Sequence, residues 1–187
     1  MRKIIIVLLL LAPFFTKAQN FPYVNHSEVG ILSATGRAPS FTGQTFHGVK
    51  IQKWKLEAGI SAGVDIYQEM TLLPMSVGFK WNPLNKLPVS PYISFNAGYG
   101  FDWLQRQSND TKYDGGYVLH PSLGIRIKTK SSTNVYLGLG FRQQRAVIRQ
   151  NIQSIGLFYS SFAPMPDMQA KEEYKFRRIS LSLGMSL

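Results

Sequence analysis

The 187 residues carry 21 basic against 10 acidic side chains, lack cysteine altogether, and are 44% hydrophobic and 13% aromatic. The missing cysteine excludes a disulfide framework and a lipidated-cysteine anchor, and after residue 15 no apolar run approaches the ~20 residues of a spanning helix. A basic excess points to nucleic acid or to an anionic surface. Here the basic residues are scattered through extended patterns, without the aromatic interleaving that stacks single strands, so no nucleic-acid partner is expected.

Met1-Arg2-Lys3, the apolar run 4–15 and Thr16-Lys17-Ala18 have the layout of a secretory signal peptide. The run is 12 residues long, too short for a helical anchor, and cleavage is expected after Ala18. Removing Arg2, Lys3 and Lys17 leaves 18 basic and 10 acidic residues, net +8, in one domain covering residues 19–187.

Residues 19–26 read as an irregular lead-in. Strand patterns follow at 27–35, weakly alternating, and at 45–53, separated by a turn-rich loop at 36–43 that contains Pro39. Strand three, 55–67, sets Leu56, Ala58, Ile60, Ala62, Val64 and Ile66 against Glu57, Gly59, Ser61, Gly63 and Asp65. Strand four, 71–81, sets Leu73, Met75, Val77, Phe79 and Trp81 against Pro74, Ser76, Gly78 and Lys80. Pro74 cannot donate to a ladder, so it is expected to mark the strand's start or a bulge.

The clearest signal is in 91–128. Ile93, Phe95, Ala97, Tyr99, Phe101 and Trp103 alternate with Tyr92, Ser94, Asn96, Gly98, Gly100 and Asp102. Tyr117, Leu119, Pro121, Leu123, Ile125 and Ile127 then alternate with Gly116, Val118, His120, Ser122, Gly124 and Arg126. Such period-two runs make strands with one apolar and one polar face. They exceed the usual ~5–6 residues and match the ~9–11 that cross a bilayer. Strand seven, 134–144, and strand eight, 174–187, repeat the pattern; the 29 residues at 145–173 between them are too many for a hairpin.

Eight consecutive strands with short links predict an all-β, eight-stranded antiparallel up-and-down transmembrane β-barrel, closed so that no edge remains. A soluble lipocalin-like binding barrel is the competing architecture, and the polar phase decides between them. It is filled with Gly and Ser, which relieve crowding inside a narrow barrel but suit an exposed strand surface poorly. Its charges, Glu28, Lys50, Glu57, Asp65, Lys80, Asp102, Arg126, Arg142 and Arg178, can balance one another as a luminal ion-pair network. Facing lipid, each base near midplane would cost ~2–4 kcal/mol. The apolar phase therefore faces lipid, with Trp81, Tyr99, Phe101, Trp103, Tyr117 and Phe141 as interfacial aromatics.

The chain resembles the small outer-membrane β-barrel proteins of Gram-negative bacteria, the porin-like "outer membrane protein beta-barrel" family. The residues that carry the likeness are Ser27-Glu28-Val29-Gly30, Ala58-Gly59-Ile60-Ser61-Ala62-Gly63-Val64-Asp65, Asn96-Ala97-Gly98-Tyr99-Gly100, Pro121-Ser122-Leu123-Gly124, Leu137-Gly138-Leu139-Gly140-Phe141 and Arg178-Ile179-Ser180-Leu181-Ser182-Leu183-Gly184. These motifs are architectural and specify no activity. The resemblance implies the outer membrane as location, outer-membrane lipid and lipopolysaccharide as surroundings, and the barrel-assembly machinery as a partner during biogenesis. The family commonly closes on an aromatic residue; this chain closes on Leu187.

No enzymatic activity is expected. His120-Pro121-Ser122 resembles the His-x-Ser pair of outer-membrane lipid A deacylases, where His activates Ser as a nucleophile. Those enzymes aim the pair at lipid, whereas the alternation here places both residues in the lumen, and Leu123 stands where their Asn follows the Ser. His26, His47 and His120 have no ligand spacing, so neither metal nor cofactor is expected. The expected role is structural or surface-interacting, in a monomer, with a narrow pore or transport and secretion accessory as the alternative and a lipid A-modifying hydrolase after that. With both termini periplasmic, parity puts 36–43, 68–72, 105–114 and 145–173 outside the cell. An extracellular or envelope protein partner would meet the longest of these near Phe158, Tyr159 and Phe162.

Overall fold

The computed structural model describes residues 22–84, 87–104, 111–129, 133–152 and 168–186. The expected signal peptide at 1–18 and the candidate contact residues Phe158, Tyr159 and Phe162 lie outside the described residues.

The alternating stretches form β1 (Tyr23–Ala34), β2 (Arg37–Ile51), β3 (Leu56–Ile66), β4 (Thr71–Trp81), β5 (Val89–Phe101), β6 (Thr111–Asp114), β7 (Gly116–Lys128), β8 (Asn134–Ile152) and β9 (Met168–Ser186). All strand pairings are antiparallel, and the sheet order β8-β7-β5-β4-β3-β2-β1-β9 is closed by pairing of β8 with β9. The result is a closed barrel of eight long strands, with the short β6 pairing the upper part of the same edge of β8 that β7 pairs below. Closure gives the spanning backbone the internal hydrogen bonds that a bilayer core cannot supply.

The faces follow the alternation in the sequence. Val29, Ile60, Val77, Leu123 and Leu181 are 61–64% exposed, while Asp65, His120, Arg126, Arg142 and Arg178 on the other phase are at most 4% exposed. An apolar exterior around a polar interior is the pattern of a barrel in lipid. The outward side chains of β3 run from Leu56 to Ile66, about 33 Å along the strand and about 25 Å at the usual ~40° tilt, the height of the apolar band in such barrels.

Several boundaries differ from those read in the sequence. β1 begins at Tyr23, and His26, expected in an irregular lead-in, pairs with both Phe46 and Ser186. The first turn is only Thr35-Gly36, with Gly36 at φ 71°, and the stretch expected as a loop at 36–43 belongs to β2 from Arg37 onward. Pro39 is accommodated because the register shifts by one between the pairs Leu32↔Ser40 and Ala34↔Arg37, so β2 carries an extra residue beside a proline that cannot donate.

Pro74 shows the opposite solution. It is inside β4 and pairs with Gly100, and the β3–β4 register is the same on either side of it (Ala62↔Met75, Asp65↔Leu72). The ladder is interrupted there, without the bulge or strand start that was expected. The long connection is also shorter than 145–173, because β8 and β9 stay paired from Asn134↔Ser186 to Ile152↔Met168. These 19-residue strands pair along their whole length and rise past the lipid band. β6, within the region expected as a plain loop, pairs with the upper part of β8.

Candidate functional site in the barrel lumen

The inward phase of the eight long strands builds the site. Near the rim where β1 begins and β9 ends, His26 Nε2 and Glu57 Oε2 are 2.7 Å apart. Lys80 Nζ donates to Glu28 Oε1 at 2.9 Å, and Gln44 Nε2 donates to Glu28 Oε2 at 3.2 Å. The same ammonium lies 4.9 Å from the ring centroid of Tyr92 and 4.2 Å from that of Tyr136, so two aromatic faces share its charge. Glycine makes room for these rings: a Cβ at Gly138 would stand 2.6 Å from the Tyr92 hydroxyl.

Hydroxyl pairs occupy the middle. Ser61 and Ser76 are joined at 2.6 Å, Ser94 and Ser122 at 2.5 Å, and His120 Nε2 lies 2.9 Å from Ser180 Oγ. His120 and Ser122 therefore have different partners, and both face the lumen away from lipid. A cavity of about 10 Å³ remains between Glu28, Gln44, Ser61, Lys80 and Asn96, space for about one water.

Above it, Arg142 Nη2 meets Asp65 Oδ2 at 2.8 Å, and Thr42 Oγ1 donates to Asp65 Oδ1 at 2.6 Å. Arg178 is directly opposite Arg142 in the β8–β9 ladder and donates from Nη1 to the Ala38 carbonyl at 3.1 Å. The lumen ends in an apolar cap of Leu32, Tyr67, Met70, Leu72, Ala146, Ile148 and Phe176, with Tyr113 and Tyr174 against it. Tyr67 and Phe176 stack at 4.1 Å between centroids, and Tyr67 Oη donates to Gln144 Oε1 at 2.9 Å.

Of the nine charges named from the sequence, Glu28 is brought to Lys80 and Asp65 to Arg142. Glu57 turns to His26, which was not among the nine, while Lys50 is its half-buried register partner on β2. Arg126 is buried on β7, and Asp102 follows the last residue of β5 at the far rim. Among the described residues, no carboxylate forms an ion pair with Arg178, and no three side chains form a metal-binding group.

The apolar cap was missed, although a signal for it existed. Leu32, Leu72, Ala146, Ile148 and Phe176 are apolar residues in the polar phase, all at the same end of their strands.

Beyond the cap the outward faces of β8 and β9 turn polar. Arg145 Nη2 binds Glu173 Oε2 at 2.9 Å, and Lys175 Nζ lies 3.4 Å from Glu173 Oε1. Desolvation of Glu173 is outweighed by these two cations together, which hold its carboxyl below the ordinary range. Tyr174 Oη donates to Glu172 at 2.7 Å, and this bond raises the phenol's pKa.

No protein-family model and no curated protein matches the chain. Among solved structures, it is similar to the outer membrane protein OprG from Pseudomonas aeruginosa, with a TM-score of 0.53 at 8% identity over 88% of this chain and 93% of that one. It is also similar to the outer membrane protein AlkL in lipid bilayers, with a TM-score of 0.50 at 11% identity over 88% of each chain. Identities this low carry the architecture and nothing finer. Closed, lipid-facing and filled with polar side chains, this chain has the fold of the small eight-stranded outer-membrane β-barrel proteins.

Proposed function

We propose that this chain is a resident outer-membrane barrel with a structural or surface-interaction role, its lumen closed to solutes by an ion-pair network and an apolar cap. The observation that carries the reading is the filled lumen. Lys80–Glu28 and Arg142–Asp65 bridge it at two heights, the cavity between Lys80, Glu28 and Ser61 measures about 10 Å³, and stacked Tyr67 and Phe176 close the far end. A conducting path would need these charged pairs to part and the cap to open together. Interiors of eight-stranded barrels are ordinarily filled in this way.

Lipid and lipopolysaccharide are the surroundings such an exterior fits, and the assembly machinery is the partner its biogenesis needs. The β8–β9 hairpin, standing above the lipid band, is the surface a protein partner would meet. Planar bilayer recording tests the reading. Protein inserted from detergent should give no steady single-channel current in molar salt, and the Arg142→Ala and Phe176→Ala variants should leak more than the parent. A stable ohmic current from the parent chain would replace this reading with a pore.

A further inference from the structure

We infer that the notch where β9 parts from β1 binds the phosphate group of an anionic lipid headgroup, with Arg177, Lys175 and the buried Arg178 as its cations. The inference rests on the reading above that this rim stands at the level of lipid headgroups. The β1–β9 ladder ends at Ser33↔Ile179, whereas β9 continues to Met168. Past Ile179, therefore, the edge of β9 has no β1 partner in the ladder, and β1 ends at Ala34, just before the Thr35-Gly36 turn. The split leaves a cavity of about 190 Å³ lined by Thr35, Arg37, Lys175, Arg177 and Arg178.

Charge counting identifies the ligand as an anion. Arg142 and Arg178 face each other across the ladder, and Arg142 takes Asp65. Arg178 is 2% exposed, and among the described residues its hydrogen bond is to the Ala38 carbonyl. A buried guanidinium without a counter-charge is strongly unfavourable. The nearby acids do not pair with it: Glu69 is 3.7 Å from Arg37, Glu172 accepts from the Tyr174 hydroxyl, and Glu173 is shared between Arg145 and Lys175. Among the described residues no carboxylate pairs with Arg177. The notch is thus net positive, with one wall inside the barrel and the other outside it.

Its height selects the kind of anion. Ile31 and Ile179, just below, are lipid-facing at 46% and 58% exposure, so the first polar layer above them is the headgroup layer. A phosphate monoester carries close to two negative charges and three acceptor oxygens, enough to meet several guanidinium and ammonium donors at once. Exposed edges also carry Lys and Arg to block pairing with other chains, but that purpose does not call for a buried Arg178.

The test uses the full barrel in non-ionic micelles, titrated with diphosphoryl lipid A, with its dephosphorylated counterpart and with inorganic phosphate, and read by native mass spectrometry. The parent should retain the phosphorylated lipid at least tenfold better than the dephosphorylated one. Arg177→Gln with Lys175→Gln, both on the surface, should lower that retention by roughly tenfold or more per cation removed. Lys53→Gln at the opposite rim should leave it unchanged. Equal retention of the two lipids, or an equal loss from Lys53→Gln, would overturn the site. Competition by inorganic phosphate at the lipid's own concentration would overturn the lipid as its source. Heat-dependent gel mobility of each variant reports the barrel separately, so a failed barrel and a failed site give different results.

Discussion

At the scale of single residues, the lumen depends on opposite charges meeting where water is scarce. Asp65 is fully buried and held by Arg142 and Thr42. Removing the guanidinium with Arg142→Ala should strand that carboxylate and cost ~3–5 kcal/mol in urea unfolding of the lipid-reconstituted protein. Pairing it with Asp65→Asn should return a large part of the loss, because the stranded charge goes with it. A single variant as stable as the parent would mean that the pair is not desolvated. Arg142 and Asp65 were both legible in the sequence as luminal, because period-two alternation assigns a side chain to a face whatever its chemistry. Their pairing was not legible. Alternation says nothing about height, and height decided that Glu57 meets His26 while Arg178 meets no carboxylate among the described residues.

At the scale of elements, strands were legible wherever one face had to meet lipid. β4 runs from Thr71 to Trp81 as read, because lipid demands an apolar residue at every second position there. Where strands leave the lipid band that demand lapses, and boundaries became hard to read. Residues 37–43 contain Pro39 and turn-forming Ser and Gly, yet pair with β1 through a bulge. The upper parts of β8 and β9 carry charges outward and apolar residues inward, the reverse of the pattern below. A charge placed on the lipid face should expose this contrast: Leu139→Arg should cost ~2–4 kcal/mol and reduce insertion, whereas Arg145→Gln, above the band, should leave insertion intact. Equal damage from both would move the membrane boundary up the hairpin.

The paired hairpin also changes what a protease should find. Trypsin sites at Arg149 and Lys171 face each other in the ladder, and no Lys or Arg occurs in 153–167. Chymotrypsin, which cuts after Phe and Tyr, is therefore expected to nick intact cells within 153–167 faster than trypsin does. Cleavage that appears only after the outer membrane is permeabilised would place this rim in the periplasm.

At the scale of the whole molecule, closure ties the other observations together. The ladder from β8 to β9 turns eight strands into a cylinder, puts the charges of β1, β3, β4, β7, β8 and β9 on one enclosed face, and leaves an apolar exterior that only lipid or detergent can cover. The central claim is this closed transmembrane barrel, and gel mobility of the refolded protein tests it most directly. In detergent micelles at room temperature the barrel should resist SDS and migrate differently from the same sample after boiling, and disrupting the β8–β9 closure should abolish the difference. Identical mobility before and after boiling, for protein refolded in detergent, would contradict a closed barrel.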